Sequence, residues 1–577
     1  MNDLFNQPKW DKLSFSYQTV DDNAEIELPF KMLILGDFTQ SNQDGDTHLL
    51  KPSRVSFDTF NQFFASQSLT IQLEMAVADI DENISYIDVD VNLKSMADFE
   101  AFELVNSVPY LKAHKDLMVD LQVILNKNNL DGIYFSEAQK QLLKQCNVQP
   151  DSITIAELPF ILCDVNEHLY EMLDIVLHHS KFQKLESIWR NLKQLLNSAK
   201  EIKNTHFEIL DISQQHLDED FYANRDIRES ILFDIVYFQE YAQYGGHPYT
   251  AIIADYEFAN GAQDLALLKN IANVCHAAHV PFIAGLSAKF MGCETFDQLA
   301  SLSDLSELYS SSKYIKWRNF QQDVTSSYIG LVLPSINLRK GYNYPAGVLG
   351  GMPYRENVRG SNNVLLGNAS FAYAQCLVNS FAKYNVCTDL CGPVGGAVSV
   401  EYLSDSTNRI PDFPIECVFS ETKLNQLSNL GLLPLAVNKR QNEIFFNTAG
   451  SLRWGSLSIP TTRTTAEKLN GQVEAQLPYL FIISRIAHYL KVVQREQIGS
   501  LDSISELQTE LNRWLRRFTS DVENPAASVR SRKPLKKAEI VITGKGVDEI
   551  PQMSLSVVPH MKYLGNDFVL TLNFSTD

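Results

Sequence analysis

The chain has 577 residues, 45% hydrophobic and 20% charged, with a net charge of -20 at pH 7. That is the composition of a folded protein of several domains, and its acidic balance disfavours nucleic acid, whose phosphate backbone rewards clustered Lys and Arg. The opening MNDLFNQPKWDK has no apolar run behind its positive charges and no stretch of about 18 apolar residues follows, so neither a signal peptide nor a membrane span is expected.

Residues 13–20, LSFSYQTV, alternate at period two, so Leu13, Phe15 and Tyr17 share one face of a strand that precedes any domain. PFKMLILGDF then reads as a buried strand stopped at Gly36, SFDTFNQFFASQ as a short helix, and LTIQLEMAV and ISYIDVDVNL as two further strands. Helices broken near Pro109 close this stretch, because a proline disfavours helix at the residue before it. Residues 1–145 are expected to form a small α/β unit. A join and helical segment over 146–200 follows, in which Phe182, Leu185, Ile188, Trp189, Leu192, Leu195 and Leu196 make one apolar stripe at helical spacing.

Over 201–577, strands such as HFEILDI, YTAIIADY, PFIAGL and YIGLVLP alternate with helices, which predicts an α/β fold with a mostly parallel sheet flanked by helices. Later come the helices NASFAYAQCLVNSFAKY, YLFIISRIAHYLKVVQREQIG and SISELQTELNRWLRRFTSD. AEIVITG, MSLSVVP and FVLTLNF end the chain as three alternating strands, the last carrying Phe568, Leu570, Leu572 and Phe574.

No catalytic set emerges. His276 and His279 lie three apart beside Cys275, with Cys293 downstream, but a structural zinc site needs two tight ligand pairs; a polar helix end is the simpler reading. Cys387 and Cys391 lack the two-residue spacing of redox or zinc pairs, and the eight scattered cysteines suit reduced thiols of a cytosol. The glycine-rich stretches form no phosphate loop or dinucleotide fingerprint, and there is no GxSxG elbow. In YGGHPYTAIIADYEF, Gly245 and Gly246 allow a tight reversal and Pro248 sets up the strand, which reads as a structural turn. Asp255, with Glu257 near it, falls at a strand end where sites in parallel sheets lie, which leaves a catalytic role open. Neither this pair nor Glu219 with Asp220 has a stated partner that would shift a pKa.

HHSKFQKLESIWRNL, YAQYGGHPYTAIIADYEF, CHAAHVPFIAGLSAKFMG, YIKWRNFQQDVTSSYIGLVLPSI, LGNASFAYA, LSNLGLLPL and LPYLFIISRIAHYLKVVQREQIGS, in that order, resemble the large subunit of the type VI secretion contractile sheath. ELPFKMLILGDF, RVSFDTFNQF and VNLKSMADFEAFELVNSVPYLKAHKDLMVDLQ resemble its small subunit. The chain therefore looks like both subunits fused head to tail. The resemblance implies a structural protein and no enzyme, without cofactor or metal. It implies a homopolymer in the bacterial cytoplasm, coiled around an inner tube of secreted rings on a baseplate and contracting to propel that tube, with no membrane insertion. A phage-tail-like contractile particle is the alternative, and an α/β enzyme the more distant one.

The resemblance further implies that the terminal strands, through Leu13, Phe15, Tyr17, Phe568, Leu570, Leu572 and Phe574, pair with neighbouring subunits; a terminal strand completing its own sheet is the alternative. Large subunits carry a longer helical region before the KLES motif, which a recycling AAA+ ATPase recognises. Here only residues 146–177 separate the small-subunit part from HHSKFQKLES. Finally, Arg485, Lys491 and Arg495 on one helix of an acidic chain are a candidate charged face toward a neighbour or the inner tube, with ordinary solvated charges as the alternative.

Overall fold

The computed structural model describes residues 15–18, 25–40, 50–78, 84–127, 135–146, 148–150, 153–243, 245–349, 353–358, 363–399, 414–438, 443–458, 474–497, 504–522, 529, 533–543, 552–559 and 570–574. Its centre is a nine-stranded sheet. Six strands run parallel in the spatial order Leu433–Asn438, Ile329–Leu333, Phe282–Leu286, Ala251–Phe258, Phe30–Gly36 and Thr205–Asp211. Antiparallel strands flank them: Glu443–Phe446 and Ala397–Ser399 on one side, Ser53–Val55 on the other. Strands buried on both faces read as continuous apolar runs, and FKMLILG and IGLVL are buried at every position.

Strand Phe30–Gly36 does not belong to a separate N-terminal sheet. It lies between Thr205–Asp211 and Ala251–Phe258, so a central strand of the large sheet comes from the first 145 residues. Of that segment, the hairpin Leu69–Ala78 and Ile84–Leu93 keeps its own two-stranded sheet. Its buried face holds Leu69, Ile71, Leu73, Val89, Val91 and Leu93, with polar residues alternating outward, as period-two patterning requires.

The helical stretch between the two parts divides at His179 into Leu158–His178 and Ser180–Ala199. The whole apolar stripe of the second helix is buried. Its Trp189 meets Phe38, Phe60 and Phe64 at ring-centroid distances of 5.4, 6.0 and 4.7 Å and donates from Nε1 to the Phe38 carbonyl at 3.0 Å. This helix is thus packed on the N-terminal segment.

IRESILFDIVYFQEY, expected as one helix, is a 3-10 turn at Ile227–Glu229, a short α-helical turn at Ile231–Phe233 and a π-helix over Asp234–Ala242. The π-helix aligns Phe233, Tyr237 and Tyr241 in a ladder of ring contacts at 4.8 and 5.3 Å.

A satellite core stands apart from the main one. It gathers Phe15 and Leu28 with residues 479–493 of helix Leu477–Gln497, residues 507–518, and Leu535, Ile540, Leu555 and Val557. Both ends of the described chain therefore meet in one apolar cluster.

Candidate assembly site

The N-terminal strand is Ser16–Gln18, paired antiparallel with Glu25–Glu27. Phe15 is fully buried, in contact with Tyr489, Trp514 and Phe518 at centroid distances of 6.0, 5.6 and 5.0 Å. Its carbonyl accepts the Leu28 N–H at 3.0 Å, and the Ser16 carbonyl accepts the Tyr489 hydroxyl at 3.0 Å. Within one chain Phe15 is thus held on its own core. Tyr17 lies in the strand, and Leu13 lies outside the described residues.

At the other terminus, Leu535–Thr543, Gln552–Pro559 and Leu570–Phe574 form an antiparallel meander with Gln552–Pro559 in the middle. Leu570, Leu572 and Phe574 stand opposite Val557, Leu555 and Met553, so this strand completes its own chain's sheet. Its outer edge has no strand beside it among the described residues. Phe568 lies outside the described residues.

The three expected cations do not share one exposed face: Arg485 is buried, and Lys491 and Arg495 are half-buried. Arg485 is 3% exposed, and its guanidinium donates to the carbonyls of Leu28 at 2.8 Å and Pro29 at 3.3 Å. It stacks between the rings of Phe15 and Phe381 at 4.7 and 5.1 Å, and burial pushes its pKa down to about 10. Arg495 donates to the Gly246 carbonyl at 2.7 Å, and the Lys491 ammonium sits 5.7 Å from the Tyr241 ring. The reason is that helix Leu477–Gln497 is packed on nearly every side. It lies between the main sheet and the satellite core, so Arg485 and Arg495 satisfy carbonyls of the chain while Lys491 meets an aromatic ring.

Those contacts end at the GGHP turn. Gly245 has φ of 80°, the left-handed value that glycine takes without steric cost. A Cβ at Gly246 would lie 2.5 Å from the Gln239 carbonyl oxygen, and Pro248 is buried. Next to the turn, the Lys31 ammonium sits 3.0 Å from Glu208 and 2.8 Å from Glu240, 4.5 Å from the Tyr249 ring, with its side chain 6% exposed. The Tyr249 hydroxyl donates to Glu208. This ion cluster joins the N-terminal segment to the region after residue 200. The signal in the sequence was a lone lysine inside the apolar run PFKMLIL, which needs a buried partner.

A second polar cluster does the same. Arg339 reaches Glu186 at 3.0 Å and Glu356 at 2.7 Å, while Arg190 reaches Glu186 at 2.7 Å and Glu100 at 3.0 Å. Burial acts to raise the Glu356 pKa, but hydrogen bonds from His178 and Arg339 overcome it and hold the group below its usual range. The i, i+4 spacing of Glu186 and Arg190 was visible, but the arginine that bridges them to Glu356 is remote in sequence.

Asp255, expected at a strand end, is half-buried inside strand Ala251–Phe258, which runs on past it, and burial followed by the nearby Glu257 raises its pKa well above normal. His279 ends helix Ala262–Ala278 at φ of 53°, with Nδ1 2.9 Å from the Tyr328 hydroxyl. Burial and then His488 push its pKa down to about 3. Among the described residues no group of three or more His, Cys, Asp or Glu is arranged to hold a metal ion. No described helix is long and apolar enough to cross a membrane.

Comparison with known families gives three matches in chain order. Residues 160–453 match the tail sheath N-terminal domain of the EvpB/VC_A0108 family, slightly more than half of the chain. The chain belongs to the type VI secretion sheath family. Residues 466–576 match that family's tail sheath gpW/gp25-like domain, and residues 10–145 match the model "Type VI secretion system, VipA, VC_A0107 or Hcp2". The "Type VI secretion system sheath protein TssC1" of Pseudomonas aeruginosa is 28% identical over 398 residues, covering 67% of this chain and 79% of that protein. The chain is a structural contractile-sheath subunit that carries small- and large-subunit sequences together, and sheath subunits assemble into a polymer.

Proposed function

We propose that this chain builds a helical tube in the bacterial cytoplasm around an inner tube of secreted rings, anchored on a baseplate, and that contraction of the tube drives the inner one outward. It works without catalysis or cofactor. The supporting observation is that small- and large-subunit matches stand on one chain, in which the described terminal strands are outer strands of small sheets beside a shared satellite core. An edge strand offers unpaired N–H and C=O groups that another copy's strand can satisfy. In the tube, the N-terminal strand of Leu13 and Tyr17, anchored by Phe15 on its own chain's core, and the strand containing Phe568, Leu570, Leu572 and Phe574 link neighbouring copies, which lets subunits rotate while staying connected. Recycling by an unfolding ATPase then depends on whether residues 146–177 supply the recognised helix.

Fusion sets the ratio of the two parts at one to one, so no second sheath protein is needed. The purified chain is expected to form long hollow filaments without nucleotide. Light scattering and electron microscopy that find only monomers at high concentration would count against this function.

A further inference from the structure

Because six strands of the central sheet are parallel, their amino ends share one edge and their carboxyl ends the opposite edge. The C-terminal unit is tied to the amino edge. Arg485 holds the carbonyls of Leu28 and Pro29, His488 Nε2 lies 3.0 Å from the Ala278 carbonyl, and Arg495 holds the Gly246 carbonyl. Each carbonyl belongs to the approach to a parallel strand: Phe30–Gly36, Phe282–Leu286 or Ala251–Phe258.

This cap has a charge opposite to that of the chain. Residues 512–537 contain eight Lys or Arg and two acids, within a protein of net charge -20. Arg513, Arg516, Arg517, Lys533 and Lys537 are exposed, and none of the five holds a carboxylate among the described residues. They lie together, since the Ser520 N–H donates to the Leu535 carbonyl at 2.9 Å and Asn512 bonds both the N–H and the carbonyl of Ile540.

The carboxyl edge is acidic. Asp37, Asp211 and Glu257 stand at or just beside strand ends and Asp255 two residues before Glu257, with Glu219 and Glu294 in the segments that follow. Asp37, Glu219, Glu257 and Glu294 are exposed. The carboxylates crowd one another: burial and then Asp211 raise the pKa of Asp37, and burial, Asp264 and Glu219 raise that of Asp218. Lys184 and Lys289 are the cations that reach Glu257.

We propose that successive copies meet head to tail, the basic cap of one chain seated against the acidic carboxyl edge of the next. This rests on the reading that the chain polymerises. Contact between two different patches is heterologous, and a heterologous contact that does not close yields an open helix. Opposed charge also fixes direction, because cap-to-cap and edge-to-edge encounters repel.

The test is a charge-swap copolymer of the full chain. One variant carries Arg513→Glu, Arg516→Glu and Arg517→Glu, and the other Glu219→Lys, Glu257→Lys and Glu294→Lys. Circular dichroism and melting temperature establish that each is folded; the single swaps Arg516→Glu and Glu257→Lys replace a triple variant that is not. Under conditions where the wild type forms filaments, each variant alone should lose roughly tenfold or more of its sedimentable polymer. A one-to-one mixture should regain it, because each contact then joins opposite charges.

Folded variants that polymerise alone, or a mixture that stays soluble, overturn the head-to-tail contact while leaving the sheath function intact. A wild type that forms no filaments removes the polymer reading and this inference with it.

Discussion

Lys31 shows what a single side chain does here. Its ammonium is buried between Glu208 and Glu240, so removing the charge leaves two carboxylates that have no other ion-pair partner among the described residues. Breaking a buried pair from one side costs about 3–5 kcal/mol, and Lys31→Met is expected to lower the melting temperature accordingly. An unchanged melting curve would show that the cluster contributes nothing.

The buried histidines make a pH prediction at the same scale. Burial pushes His279 down to about 3 and His488 to about 4, from an ordinary value near 6.5 in the unfolded chain. His276, Lys491, Tyr328 and Tyr241 surround them, with Asp323 near His276. As pH falls below about 6.5 the unfolded chain binds protons that the folded chain refuses, so this stability is whole above that pH and is lost toward pH 4. His279→Asn keeps a residue that tolerates a positive φ and removes one titrating group. Melting temperature measured from pH 7 to 5 should fall less in this variant than in the wild type; equal slopes would exclude His279 as a source. The sequence put two histidines at a helix end but could not show that Tyr328 and His488 enclose them, because those residues are distant in the chain.

Among elements, periodicity was informative about type and poor about neighbours. The alternating hairpin, the stripe of helix Ser180–Ala199 and the apolar sheet strands were legible because burial imposes a period on each one separately. That Phe30–Gly36 inserts between Thr205–Asp211 and Ala251–Phe258 was not, since an apolar run states that a strand is buried and not which strands bury it. Helix Leu477–Gln497 failed for a related reason. A helical wheel gives the angle between Arg485 and Arg495, but which side faces water depends on what packs there, and here nearly every side is covered.

Strand Leu570–Phe574 carries the element-scale prediction. It is an outer strand, and its partner Gln552–Pro559 stays paired with Leu535–Thr543 without it. A chain lacking residues 566–577 is expected to be soluble and cooperatively folded by circular dichroism, yet without filaments in the microscope. Insolubility or a clearly lower melting temperature would mean that the rest of the meander cannot fold without the strand, and filaments of normal length and diameter that it links nothing.

At the scale of the whole molecule, the fused subunits are joined by more than the peptide chain. A central strand, the packing around Trp189, and the Lys31 and Arg190 clusters all cross from the first 145 residues to the rest. The satellite core adds a second meeting point, at which Phe15 and Leu28 pack with residues 479–557. This packing fits the proposal that each copy moves as one body while its terminal strands link it to others. A helical reconstruction by cryo-electron microscopy of filaments from the purified full-length chain tests that account most directly. It should show one copy per repeat, with Phe30–Gly36 inside the central sheet and a neighbour's strand beside Leu570–Phe574. A wall whose copies touch only through their bodies, with every terminal strand satisfied inside its own chain, would contradict it.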